Sequence, residues 1–171
     1  MTIDIIKNIS RFFLLVLVQI LVLNNIQLSG YINPYLYVLF ILMLPLDTPK
    51  WMLLIFSFLL GLSVDVFSNS SGMHAAAATF MGYSRPFVLN IIKPRGGYEF
   101  TSKPTIRDMG TNWFVAYAGI LIFLHHLVYF FIEIFRFGEL FSIFSRIVLS
   151  SIFTLMLAII VQLIFSKPKI A

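Results

Sequence analysis

Long apolar stretches without a single charge constrain this chain more than anything else in it. Phe12–Leu23, Trp51–Leu62 and most of Ile147–Phe165 run unbroken. A bilayer-spanning helix needs about 20 such residues, whereas a membrane β-barrel needs ~10-residue strands of alternating polarity. Over 171 residues, 60% are hydrophobic and 11% charged, against roughly 45–50% and 25% in soluble domains. A mean hydropathy of +0.96 leaves a soluble fold too little polar surface. The expected fold is an all-α polytopic membrane protein, a single transmembrane domain over residues 1–171.

Turn signals divide the chain into six expected spans: Ser10–Leu28, Tyr35–Leu46, Trp51–Phe67, Met73–Ile92, Asn112–Phe135 and Phe141–Phe165. Ser29-Gly30 with Asn33-Pro34, Pro45 with Pro49, and Ser68 to Gly72 separate the first four. Lys7 and Arg11 ahead of an apolar run resemble a signal peptide, but Asn24-Asn25-Ile26-Gln27-Leu28 offers no small-x-small cleavage site. The first helix is expected to be retained.

Lys7, Arg11, Lys50, Arg85, Lys93, Arg95, Lys103, Arg107, Lys167 and Lys169 fall on one side of this layout, and Arg136 and Arg146 on the other. The positive-inside bias then places both termini in the cytoplasm. The net charge of +5 follows that bias and calls for no nucleic acid. The Lys93–Gly110 connection, with Pro94, Gly96, Gly97 and Pro104, reads as an extended cytoplasmic loop.

Ionisable groups within a membrane are functional candidates by default. Asp65, His74, Glu133 and Arg146 fall at a similar outer depth. They form either a cluster that docks a partner or a small polar ligand, or an internal lock pairing Asp65 or Glu133 with Arg146. His125 and His126 sit mid-helix, and neighbouring helical positions point about 100° apart, so they do not share a metal. Glu133 lies two turns, about 11 Å, beyond His126. Bonding of neutral histidines across helices is the expected role, with a proton relay as the alternative.

Gly72/Ala76 and Ala78/Gly82 have the spacing that lets helices approach closely, as does Gly61 with Asp65. The packing partner is a helix of this chain or of another protein. Arg85, ahead of Pro86, is read as a snorkelling anchor or a group reaching lipid or partner phosphates. No nucleotide-binding, metalloprotease or serine-hydrolase motif is present. No cofactor, metal or enzymatic activity is expected.

Several stretches together resemble the rod shape-determining protein MreD family over nearly the whole chain. They are Asn24–Pro45, Gly61-Leu62-Ser63-Val64-Asp65-Val66-Phe67, Gly72-Met73-His74-Ala75, Gly82-Tyr83-Ser84-Arg85-Pro86, the Pro94–Tyr98 loop, and His125-His126 with Phe131 and Glu133. The resemblance implies a non-catalytic component of the machinery that elongates the lateral wall of bacteria, in the cytoplasmic membrane. Its partners would be membrane-anchored MreC, the MreB filament, a wall glycosyltransferase–transpeptidase pair and anionic lipid. Asp65, His74, Tyr83, Arg85, His126 and Glu133 match family-typical polar positions, as interaction candidates. The family's fold resembles the substrate-binding subunits of energy-coupling-factor transporters, which supplies an alternative, a small-molecule binding subunit. Such subunits usually carry an alanine-x-x-x-alanine pattern in helix 1, and Phe12–Leu23 contains no alanine.

Overall fold

The computed structural model describes residues 2–26, 32–99, 102–133 and 140–165, and these are helical without strands. Five long helices dominate: α1 (Thr2–Leu21), α3 (Lys50–Ser68), α4 (Met73–Ile91), α6 (Thr111–Glu133) and α7 (Leu140–Phe165). Two one-turn helices complete the set, α2 (Leu39–Leu42) and α5 (Ile106–Met109). Stretches over Ile6–Asn25, Lys50–Ser68, Thr111–Glu133 and Ile143–Phe165 are long and apolar enough to cross a membrane.

Among the described residues four such helices stand where the sequence leads one to expect six spans. Helix α4 has the length, but His74, Tyr83, Ser84, Arg85, Pro86 and Asn90 dilute its apolar content. The expected span Tyr35–Leu46 departs further. Its helical part is a 3-10 turn, Leu36–Val38, running into α2. Seven residues cover only about 10 Å. Proline explains the brevity: Pro34 and Pro45 bracket the stretch, and each disfavours helix in the residue before it. The rest of 32–49 is irregular backbone.

This short segment is the centre of the molecule. Tyr35 through Leu42 and Leu44 are all buried. Gln19 of α1 bonds Pro34 and Tyr37, while Arg11, nearer the start of α1, bonds Met43. The segment therefore runs antiparallel to α1. His74 and Arg85 of α4 reach Tyr37 and Leu44, so α4 runs parallel to it. Gln162 of α7 donates to Met43 Sδ, so the start of α1 and the end of α7 lie at the same end of the bundle.

Helices α3 and α4 form the tightest pair. Asn69 (φ 51°) and Gly72 (φ 88°) adopt left-handed conformations in the turn between them, a standard way to end one helix and start another. A Cβ on Gly61 would overlap the His74 carbonyl and the Ala75 backbone, and one on Gly82 would overlap Ser57 Oγ. Ala78 is fully buried. These three small residues serve packing within the chain. Gly72 does not: space around it is open, and its positive φ is what requires glycine. Ala76 faces outward.

The described part of the connection after α4 is irregular, apart from α5, where the Thr105 side chain accepts from Asp108 N at 3.2 Å. Tyr98 folds back to donate to the Leu89 carbonyl at 2.7 Å. Burial holds its phenol above the ordinary value of 10.0. Lys93, Arg95, Lys103 and Arg107 are exposed. Arg136, Lys167 and Lys169 lie outside the described residues.

Candidate functional site

Irregular backbone inside a membrane protein must find partners for its N–H and C=O groups without help from water. Side chains of four long helices supply them here. At one end Asn33 N donates to Ser150 Oγ (3.1 Å) and Tyr35 N to Thr154 Oγ1 (3.1 Å), both on α7. Gln19 Nε2 donates to the Pro34 carbonyl at 3.0 Å, and its Oε1 accepts from Tyr37 N at 3.4 Å. At the other end Tyr117 donates to the Leu42 carbonyl (3.0 Å) and Arg11 to that of Met43 (3.4 Å). Arg85 donates to the carbonyls of Leu44 and, at 3.2 Å, Pro45.

Arg85 is thus neither a snorkelling anchor nor a group for external phosphates. It is completely buried, and its Nε donates to Tyr117 Oη at 2.6 Å. The sequence places it about two turns from the end of a helix, within reach of a surface for a long side chain. The acceptors that draw it inward come from forty residues away.

Between the two ends lies a cluster of rings. The Tyr37 hydroxyl sits 3.0 Å from His74 Nδ1 and 2.6 Å from His125 Nε2. Tyr35 packs against His74, His126 and Tyr129 with centroids 4.9, 5.2 and 4.7 Å away. His126 Nδ1 donates to the Ile122 carbonyl at 2.8 Å, and its Nε2 meets Thr154 Oγ1 at 3.2 Å. The two histidines do bond across helices, as their sequence position implies, and to different elements.

The group of ionisable residues expected at one depth divides. Asp65, 5% exposed, accepts from Ser70 Oγ (2.6 Å), His74 N (3.1 Å) and Ala75 N (2.8 Å). It caps the first turn of α4 rather than pairing with a cation, and satisfies N–H groups that a helix start leaves open. Arg146 pairs with Glu133 at 3.5 Å, and its guanidinium lies 4.8 Å from the Phe130 ring centroid. The internal lock therefore forms through Glu133, not Asp65. Tyr83 is exposed on α4, against Phe87.

Two concavities adjoin these residues. One, about 360 Å³, is lined by Asn24, Asn25, Asn33, Tyr35, Ser68, His74 and Tyr129 among others. The second, about 630 Å³, is an apolar groove between α3 and α4, with Gly72, Ala75, Ala76 and Thr79 beside Leu54, Phe58, Phe80 and Tyr83.

Gln19, Tyr35, Tyr37, Tyr117 and Thr154 carry much of this network and do not stand out in the sequence. The available signal is that each places a polar atom within an apolar run, which a membrane helix tolerates only with a partner. Comparison with family models, curated proteins and solved structures finds no match to this chain.

Proposed function

We propose that this chain is a non-catalytic membrane scaffold of the bacterial cell-elongation machinery, as its resemblance to the MreD family implies. In this reading it crosses the cytoplasmic membrane six times with both termini inside. The central segment counts as the second crossing and α4 as the fourth. The observation that carries the reading is the outward groove on α3 and α4. Association inside a membrane depends on shape rather than on hydrophobic drive. A groove floored by Gly72, Ala75 and Ala76 supports close approach of a partner's helix. The polar side chains that chemistry would need are largely engaged within the chain.

The partner fitting this role is the single membrane helix of an MreC-like protein, with the wall glycosyltransferase–transpeptidase pair joined to the same assembly. Exposed Lys93, Arg95, Lys103 and Arg107 would face anionic lipid or an MreB-like filament, with each basic residue near such a surface contributing about 1 kcal/mol. A photo-crosslinking phenylalanine analogue at Phe80, in native membranes, tests the reading. Capture of an MreC-like protein or a wall synthase is expected. Capture of lipid alone sinks it.

The polar cavity favours a second reading, a small-molecule binding subunit of an energy-coupling-factor type transporter. Its 360 Å³ and several converging polar groups suit a small ligand. Co-purification with an ATPase pair and a coupling subunit would select that reading.

A further inference from the structure

Asparagine disfavours helix interiors and settles at caps and turns. Three asparagines, Asn24, Asn25 and Asn33, meet at one end of this bundle and line the polar cavity of about 360 Å³. Asn25 is taken up in closing α1, its Nδ2 donating to the carbonyls of Ile20 (3.3 Å) and Leu21 (3.0 Å). Asn24 and Asn33 are not used in that way. With them on the cavity wall stand Ser68, at the end of α3, and the rings of Tyr35 and Tyr129.

Gln19, 1% exposed, fixes how Asn24 is presented. Its Nε2 donates to Asn24 Oδ1 at 2.9 Å and to the Pro34 carbonyl at 3.0 Å, while its Oε1 accepts from Tyr37 N at 3.4 Å. Asn24 therefore turns its Nδ2 to Ser68, whose Oγ accepts at 2.8 Å. The second Asn24 N–H and the Ser68 hydroxyl hydrogen then have no partner among the described residues. The Asn33 side-chain amide has none there either; its backbone N–H is what bonds Ser150 Oγ. Amides and hydroxyls both donate and accept. Their complement is a molecule whose own groups do both.

No carboxylate, ammonium or guanidinium is among the described residues that line this cavity. Its one imidazole, His74, is 2% exposed with Nδ1 against the Tyr37 hydroxyl at 3.0 Å. The acidic groups beside lining residues are engaged elsewhere. Asp65 accepts from Ser70 Oγ, His74 N and Ala75 N, and Glu133 pairs with Arg146. By holding the first N–H groups of α4, Asp65 also removes the attraction that a helix start has for an anion. Among the described residues no group of three His, Asp or Glu side chains could hold a metal ion. A charged ligand would give up its water here without gaining a counter-charge, which is costly. A neutral one would not.

We infer that this cavity takes an uncharged, hydroxyl-rich molecule about the size of a monosaccharide, bonded by Asn24, Asn33 and Ser68 and bounded by the rings of Tyr35 and Tyr129. The claim rests on the second reading above, in which the cavity is a ligand site, and adds the class of the ligand. Size agrees with chemistry: at the ~30 Å³ share of one water, 360 Å³ holds about a dozen non-hydrogen atoms. The site is separate from the outward groove on α3 and α4.

Saturation-transfer NMR on the full chain in lipid nanodiscs tests this with four probes of similar ring size. Glucose and myo-inositol are neutral; glucuronate and glucosamine carry a carboxylate and an ammonium at about pH 6. The neutral pair is expected to take up saturation, and the charged pair to bind at least about tenfold more weakly, since nothing offsets their lost hydration. Asn33→Leu keeps the bulk of a side chain that bonds nothing among the described residues, so the fold should stand. It should weaken the neutral probes by about tenfold or more, as removal of one buried hydrogen-bond partner does. Ser68→Ala, which deletes one hydroxyl, is a second variant with the same expected direction. A charged probe that binds as well as the neutral pair overturns the uncharged class while leaving the cavity a ligand site. Transfer to none of the four overturns the class and the second reading's ligand site together. Neutral binding that survives both variants puts the ligand elsewhere and overturns the assignment to this cavity.

Discussion

Arg85 and Tyr117 close one end of the central segment together. The guanidinium Nε donates to the phenol oxygen at 2.6 Å, and the phenol donates onward to the Leu42 carbonyl at 3.0 Å. With the Leu44 and Pro45 carbonyls also on Arg85, three carbonyls at the end of α2 are satisfied by two side chains. A cation suits that place, since the C-terminus of a helix carries partial negative charge. Among the described residues no carboxylate pairs with Arg85.

Arg85→Leu is expected to destabilise the fold by about 2–5 kcal/mol, since each buried acceptor left unmade costs about 1–3 kcal/mol. Arg85→Lys should restore little, because an ammonium lacks the planar fork that spans three oxygens. Thermal unfolding in a mild detergent reads both. A native-like midpoint for Arg85→Leu would mean that the central segment holds without its clamp.

The two helix-packing glycines differ in what a methyl group would meet. At Gly61 the obstacle is backbone, His74 carbonyl and Ala75, which cannot step aside. At Gly82 it is chiefly the Ser57 side chain, which can rotate. Overpacking typically costs about 1–3 kcal/mol, so Gly61→Ala should fall at the upper end and Gly82→Ala well below it. Equal losses in the same unfolding measurement would refute this account of the α3–α4 contact.

Asp65 acts here on α4. Asp65→Ala removes the acceptor for His74 N, Ala75 N and Ser70 Oγ, and loss of a helix cap costs about 0.5–2 kcal/mol. Asp65→Asn, which keeps one acceptor oxygen, should lose less. Amide hydrogen exchange should localise the damage to the first turn of α4. Exchange that stays slow there in Asp65→Ala would argue for an external role instead.

The long helices were legible in the sequence because an uncharged apolar run has one stable form in a bilayer. Gly61, Ala78 and Gly82 were legible as packing residues, since small side chains at four-residue spacing have few other uses there. The central segment was not. Tyr35–Leu46 has the composition of a helix, and the groups that hold it as a short, irregular piece come from Gln19, Arg85, Tyr117 and Thr154. Arg85 departs from its expected place for the same reason: a position toward the helix end points to water, while its acceptors on Leu44 and Pro45 are invisible to local spacing. Asp65 next to a glycine-bearing turn was the nearer miss, because a carboxylate five residues before Ser70 can reach a following helix start.

The scaffold reading makes its sharpest claim at Ala76. This residue is exposed and lines the groove, whereas Ala75 and Ala77 beside it are buried against the bundle. A bulky side chain at position 76 fills the groove without disturbing the α3–α4 contact. Ala76→Trp should therefore leave the unfolding midpoint within about 0.5 kcal/mol of native, as exposed substitutions usually do, while removing the partner crosslink from Phe80. Gly61→Ala provides the contrast, since it should lower stability first and affect partner capture only through that loss. If Ala76→Trp folds normally and partner capture is unchanged, the groove is not where a partner helix docks, and the scaffold reading would have to move to another face.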